Sequence, residues 1–426
     1  MRYFVTVFRK TPVRLELDIA RRMARNPSGG SRSVMERIAV ASVALSLVTM
    51  ILSLAIIAGF RRTVSEKMSA FSSHVVVTDP RNVGAADAVP VRISEALDSL
   101  VAAQPGYGSL ARYALRGGII RTDEAVEGVV LKGVDAAYDL SAFAEWLVAG
   151  ELPCIGDTIR TKDLLLSRPL ADELRVGVGD RLELLFIEAD DRPHRDRFKV
   201  SGLYASGMDE LDRTTLLTDL RNVQRLALWE PDEVSGCEIR IERLADAPAF
   251  AAALDHALLY DEAERFDNFA AFSVQELYPN IFDWLKAHDV NAVVILVIML
   301  TVAFFNLSAA LLTVVLERIR MIGILKALGM NNRSLRRLFL WRAALIALRG
   351  LLWGNAVGLL LCGLQARFGW VKLDAEGYLL STVPIAVEAG WWCLLNAGFA
   401  AAILLLMLLP ASVVATVKPD ETMRYE

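Results

Sequence analysis

The side chains with the widest chemical reach in this sequence are basic, and they gather beside apolar stretches. Arg318, Arg320, Lys326, Arg333, Arg336 and Arg337 crowd one short segment. Arg342 and Arg349 follow seven residues apart, on one helical face. Such cations hold phosphate, carboxylate or a membrane surface; they do not by themselves turn over a substrate. Groups that would are missing. The chain lacks even a Gly-Lys dipeptide, so no P-loop cradles nucleotide phosphates. Cys-x-x-Cys, His-Glu-x-x-His and Gly-x-Ser-x-Gly patterns are absent. His74, His194, His256 and His288 are scattered without metal-ligand spacing, and no pair of carboxylates stands out. The residues therefore point to no catalytic, metal or cofactor site in this chain, and none to nucleic acid.

The elements that must position these cations are four long apolar stretches, Ile38–Phe60, Val290–Leu316, Leu338–Leu364 and Ala389–Leu409. About 20 apolar residues span a bilayer core as a helix. The hydrophobic share of 54% agrees with a membrane protein. Between the first two stretches lie residues 61–289, of ordinary soluble composition. The expected fold class is an α-helical membrane protein with four transmembrane helices in a 1+3 layout and a large extracytoplasmic α+β domain.

Charge gives the expected orientation. The net charge of −4 conceals 40 acidic and 25 basic residues in 61–289, against 10 acidic and 21 basic elsewhere. Nine of those basic residues precede the first stretch and six lie in 317–337, whereas 365–388 has only Arg367 and Lys372. Short loops rich in Lys and Arg stay cytoplasmic. Residues 1–37 (a basic amphipathic segment), 317–337 and 410–426 are thus expected in the cytoplasm, with 61–289 and the short loop 365–388 across the membrane. The first stretch reads as a retained anchor rather than a cleaved signal. Cys154 and Cys237 then fall where a disulfide is chemically possible, though nothing in the sequence shows that they meet.

Within 61–289, His74–Asp79 is strand-like, Val91–Ala103 has helical periodicity, and Gly117–Val134 reads as a hairpin turning at Asp123–Glu124. Cys237–Ile241, Ala247–Leu259 and Phe269–Val274 read as strand, helix and extended segment. These suggest one α+β subdomain interrupted by a second at about 150–235. In the insertion, Asp163–Leu174 is apolar at helical spacing, and the strands Arg181–Ile187 and Arg197–Tyr204 flank a charged connector, Glu188–Asp196. That connector is either a solvated hairpin loop or a docking loop.

In the membrane stretches, Gly350, Gly354 and Gly358 form a small-residue stripe suited to close helix packing. Arg342 is expected at the cytoplasmic interface. Arg349 sits about 10 Å deeper at 1.5 Å per residue, and either snorkels or meets lipid phosphate or a carbonyl. Spans one, two and four contain no Asp, Glu, Lys, Arg or His, which argues against a proton- or sodium-coupled carrier. In the link, Met321, Ile324, Leu325 and Leu328 share a helical face ringed by Arg318, Arg320 and Lys326, with Gly329 and Asn331–Asn332 as the stop. Such a helix lies in headgroups or fills a groove on a partner.

Val302-Ala303-Phe304-Phe305-Asn306, followed by Glu317 and by Ile322-Gly323-Ile324-Leu325-Lys326-Ala327-Leu328-Gly329, resembles the second-helix and link signature of the FtsX-type permease superfamily, most closely its LolC/LolE lipoprotein-releasing branch. Other matching pieces are Ile19-Ala20-Arg21-Arg22, Gly59-Phe60, Gly128-Val129-Val130-Leu131-Lys132-Gly133-Val134-Asp135, Tyr378-Leu379 with Val383-Pro384, Pro410-Ala411, and Lys418-Pro419 with Arg424-Tyr425-Glu426. They cover the chain end to end in the expected order. The resemblance implies a MacB/LolC-like periplasmic domain of two subdomains and a permease paired with a second permease subunit, identical or paralogous. It also implies two cytosolic ABC ATPase subunits, which hold the ATP and Mg that this chain does not. Arg318, Arg320, Ile322, Leu325, Lys326, Leu328 and Gly329 would couple to the ATPase. Asp190, Asp191, Arg192, Pro193 and His194 would dock a periplasmic lipoprotein carrier. Leu45, Val48, Met50, Leu54 and Ile57 would line a space for the acyl chains of a lipoprotein substrate beside membrane lipid. Arg349 departs from the small or neutral residues common early in the third helix of the family. The competing expectations are a permease of the same superfamily with another cargo or a division-signalling role, and a non-transporting receptor or scaffold.

Overall fold

A computed structural model describes residues 30–122, 125–156, 160–187, 193–260, 266, 268–317, 319–373, 380 and 382–408. Two compact units result. One draws on Met1–Phe60, Lys286–Trp370 and Pro384–Glu426; the other comprises Arg61–Leu285 with Val371–Val383.

Among the described residues, four helices are long and apolar enough to cross a membrane: Glu36–Ser72, Pro279–Leu316, Asn332–Phe368 and Ala389–Leu406. Three overrun the apolar stretches that announce them, because a helix stops where its backbone turns rather than where hydropathy falls. The first runs Gly30–Ser72 and ends at Ser73, in the left-handed region at φ 53°. The third begins at Asn332, so Asn332–Arg337 belong to it and not to a loop.

The glycine stripe packs the third helix on the first. A Cβ at Gly350 would stand 2.5 Å from a Val43 methyl, at Gly354 3.0 Å from Leu47, and at Gly358 3.2 Å from Ile51. Equal steps of four on both helices mean that they run parallel. Side-chain hydrogen bonds add specificity in an apolar core. Asn306 donates to Ser42 Oγ at 2.6 Å, tying the second helix to the first. Asn355 and Asn396 exchange amide hydrogen bonds of 2.6 and 3.1 Å between the third and fourth helices, and Trp392 Nε1 donates to Asn355 Oδ1 at 2.8 Å.

Arg342 and Arg349 find a partner that the apolar pattern hides. Both donate to Glu36, at 2.6 and 2.9 Å. Neither snorkelling nor lipid phosphate is needed to account for them: a carboxylate just ahead of the first apolar stretch takes both. An ion out of water needs a counter-charge.

The second unit is built on strands β1 (Val75–Thr78), β2 (Val91–Arg92), β3 (Tyr107–Arg121), β4 (Val126–Val134), β5 (Leu147–Gly150), β6 (Asp163–Ser167), β7 (Arg181–Ile187), β8 (Pro193–Tyr204), β9 (Thr215–Asp219), β10 (Glu233–Val234), β11 (Gly236–Ile241) and β12 (Ala270–Ser273). Ten form one sheet in the order β12-β1-β11-β3-β4-β9-β6-β8-β5, with β7 bridging β3 and β8; β2 and β10 pair apart. β4–β9 and β6–β8 are parallel. The helices Glu95–Ala102 and Ala247–Tyr260 cover the β1–β11–β12 end, where Val75, Ile239 and Leu254 are buried together. The inserted part has its own cluster, including Leu164, Leu166, Phe186 and Val200, joined by Ile120 and Leu131 of β3 and β4.

Asp163–Leu174 is not one helix. Asp163–Ser167 is strand β6, and the helix is only Arg168–Leu174, capped by Ser167. Leu164 and Leu166 bury on one face and Leu165 on the other. A sheet covered on both faces reads as a continuous apolar run, whose period does not separate strand from helix.

One local solution recurs after β1 and β9, in Thr78-Asp79-Pro80-Arg81-Asn82 and Thr218-Asp219-Leu220-Arg221-Asn222. In each, Asp accepts from the Arg backbone N–H at 2.9 Å and the guanidinium closes on the same carboxylate at 2.6 Å. The Asn amide then donates back to Thr Oγ1, at 3.2 and 2.9 Å. Cys154 is exposed and Cys237 buried, both as free thiols, so the disulfide allowed by the sequence is not made.

Candidate functional site

The link expected to couple to a partner folds as a short helix, Ile319–Ala327. Gly329, at φ 88°, ends it with a pair of bonds, Gly329 N–H to Lys326 O at 3.0 Å and Met330 N–H to Leu325 O at 3.0 Å. This is the glycine-terminated helix end that an L side chain would strain. Ile322 is wholly buried in the core of the membrane unit. Ile324 and Leu328, four residues apart, are 58% and 76% exposed, while Leu325 and Lys326 are half-buried. Ile322 therefore anchors the helix to its own bundle, and Ile324 with Leu328 forms the outward apolar ridge. Arg318 lies outside the described residues, and of Arg320 only the backbone, within the helix, is described.

Met50 and Leu54 come together with Leu296 and Leu300 of the second spanning helix and Trp391 and Phe399 of the fourth, around a groove of about 280 Å³ lined almost wholly by carbon. Its walls can hold only an apolar guest. Leu45 is 68% exposed, Val48 is buried and Ile57 half-buried; none of the three lines this groove. The sequence offered no sign of Trp391 and Phe399, because a span of uniform hydropathy does not say which face meets a neighbour.

The charged connector is shorter than its composition suggests. β8 already begins at Pro193, which pairs with Ile187, and His194 pairs with Phe186 and is exposed. Asp190, Asp191 and Arg192 lie outside the described residues.

A fourth cluster was invisible to sequence reasoning apart from the matching segment Gly128–Asp135. Lys132 on β4 and Glu238 on β11 form an ion pair across β3, and both are buried. Lys132 Nζ also donates to the Phe71 carbonyl and lies 4.9 Å from the centre of the Tyr138 ring. Tyr138 Oη donates to the Ala70 carbonyl at 2.6 Å. Burial pushes the Lys132 ammonium below its usual range and the Glu238 carboxyl above its own, and each partner's charge opposes that drift. Burial also drives the Tyr138 phenol well up, so it stays a donor at any physiological pH.

Residues 293–419 match the model of the FtsX-like permease C-terminal family, and residues 38–257, just over half of the chain, match that of the MacB-like periplasmic core domain. The chain is 22% identical to "Lipoprotein-releasing system transmembrane protein LolC" of Xylella fastidiosa (strain Temecula1 / ATCC 700964), over 99% of this chain and 100% of that protein. It is 22% identical to "Lipoprotein-releasing system transmembrane protein LolE" of Haemophilus influenzae, over 92% and 94%. Among solved structures, the periplasmic region of MacB from Actinobacillus actinomycetemcomitans aligns with 49% of this chain and 91% of its own at 12% identity and a TM-score of 0.32. The two family matches fall in chain order on the two parts of the fold, the second on the strand-rich domain with the helix before it and the first on the later spans. The chain belongs to the MacB-like periplasmic core domain family and carries an FtsX-like permease C-terminal region.

Proposed function

We propose that this chain is the permease subunit of an ATP-driven complex that extracts lipoproteins from the inner membrane and passes them to a periplasmic carrier. The observation that supports this above others is end-to-end collinearity with a protein named as the transmembrane part of a lipoprotein-releasing system, over 99% of this chain. ATP and Mg would be held by two cytosolic ATPase subunits, and a second permease subunit, identical or paralogous, would complete the membrane part. The charge asymmetry supports a cytoplasmic position for both termini and for the Ile319–Ala327 helix.

The residues then divide the work. Ile324 and Leu328 offer the ATPase an apolar ridge, and Ile322 passes its displacement to the bundle core. The groove of Met50, Leu54, Leu296 and Trp391 takes an acyl chain from the bilayer, where apolar contact costs nothing in desolvation. Movement of the first helix against the second and fourth closes the groove and expels the chain toward the carrier. The hairpin of β7 and β8, with Pro193 and His194 at the start of β8, is the proposed docking point. Depletion in cells, followed by fractionation, tests the function. Lipoproteins should accumulate in the inner membrane; normal sorting would reject lipoprotein cargo and leave a permease of the same family with another substrate.

A further inference from the structure

A helix ends with four backbone carbonyls that have no partner of their own. Where the first long helix stops at Ser72, two of these groups, the carbonyls of Ala70 and Phe71, are not left to water. Lys132 donates to Phe71 O and Tyr138 to Ala70 O, from a strand and a loop of the domain. Phe71 itself is buried, 5.2 Å from Phe143 and 5.9 Å from Trp146, ring centre to ring centre. No slack follows: His74 N–H already donates to Ile239 O at 3.1 Å, two residues past the helix. The second long helix begins at the same place. Ser72 Oγ and Tyr278 Oη share a hydrogen bond of 2.8 Å, and Tyr278 directly precedes Pro279, its first residue.

An ion pair is an expensive way to fill a sheet. Replacing such a pair by apolar side chains of similar size is often neutral or stabilising. Lys132 and Glu238 therefore need a reason beyond the fold of the sheet, and the helix end supplies one. Only a cation both complements the negative end of the helix dipole and donates to its last carbonyls, and Glu238 holds that cation in place from β11.

We propose that Lys132, Tyr138 and Glu238 are positioning residues of a joint that fastens the carbonyl end of the first spanning helix to the domain's sheet, so that the two move as one piece. The proposal deepens the functional reading above and rests on it for its consequence: work done on the helix reaches the domain through this joint.

The test uses the full permease assembled with its ATPase in lipid. Lys132→Met/Glu238→Met replaces the pair by apolar side chains, and Tyr138→Phe removes one hydrogen bond while keeping the ring. Hydrogen exchange is followed in the peptide carrying Ser65–Ser73 and in β1, β4 and β11, with and without ATP. In the double variant, exchange in the helix's last turn should rise about tenfold, the scale of one lost buried hydrogen bond, while protection of β4 and β11 without ATP stays as in the wild type. An ATP-dependent change in β1 and β11 should appear in the wild type and vanish in the double variant, with ATP hydrolysis within about twofold, and Tyr138→Phe should fall between. Unchanged exchange at the helix end, or an ATP response in β1 and β11 equal to wild type, would overturn the joint. Collapse of protection across the whole sheet in both variants would do so too, by reducing the pair to a folding role. Exchange needs no cargo, so a wild type that releases no lipoprotein would sink the functional reading and leave the joint to be judged on these data.

Discussion

At the scale of single residues, the chain's informative groups are those that burial has perturbed. His74 stands at the start of β1 with Nδ1 accepting from the Ile241 N–H at 3.1 Å, and burial, with Arg240 nearby, holds its pKa below the usual 6.5. The unfolded chain then takes up a proton that the native domain resists. Stability from this group is complete above about pH 6.5 and is lost as pH falls toward the lower native value. Melting of the full chain should be flat from pH 8 to about 7 and decline below about 6.5, and His74→Asn should flatten that decline. A decline of equal size in the variant would assign it to other groups. Some residues were legible beforehand: Gly329 as a helix stop, and the glycine stripe as a packing surface. Glu36 was not, because it lies outside the apolar stretch whose arginines it neutralises. Lys132 and Glu238 were hidden by sequence distance, since only the sheet order brings β4 and β11 to either side of β3.

At the scale of elements, alternation and turn chemistry exposed the β3–β4 and β7–β8 hairpins, where partners are neighbours in sequence. They failed for β6, buried on both faces, and for the parallel β4–β9 pair that joins the inserted strands to the rest. The helix pair of the membrane unit allows a sharp contrast. A Cβ at Gly350 would meet Val43 at 2.5 Å and Val40 O at 3.2 Å, whereas one at Gly363 meets nothing within 4 Å. Gly350→Ala should therefore destabilise the bundle by about 1–3 kcal/mol, the usual range for overpacking. Gly363→Ala should be neutral or stabilising by about 0.5–1 kcal/mol through helix propensity. Thermal unfolding in detergent measures both, and equal effects would mean that the first and third helices do not touch as described.

At the scale of the whole molecule, the free cysteines make the orientation measurable. Cys154 is exposed and Cys237 buried. In spheroplasts, a membrane-impermeant maleimide should label Cys154 and spare Cys237. In a chain whose native cysteines are replaced by serine, Leu328→Cys should react only after the membrane is opened. The reverse pattern would invert the topology that the charge distribution implies. The order of the sheet carries a further consequence, for synthesis. Val75 pairs with Ile239 and with Ser273, so the first strand to emerge is clasped by the last two. Pairings this far apart in sequence are slow to form. During translation the first helix must wait in the bilayer with β1 unpaired until the segment just ahead of the second helix has been made. A chain released before Ser273 would present an open strand edge, a ready template for aggregation. Nascent chains of this protein thus carry that open edge until nearly two-thirds of the sequence has been translated.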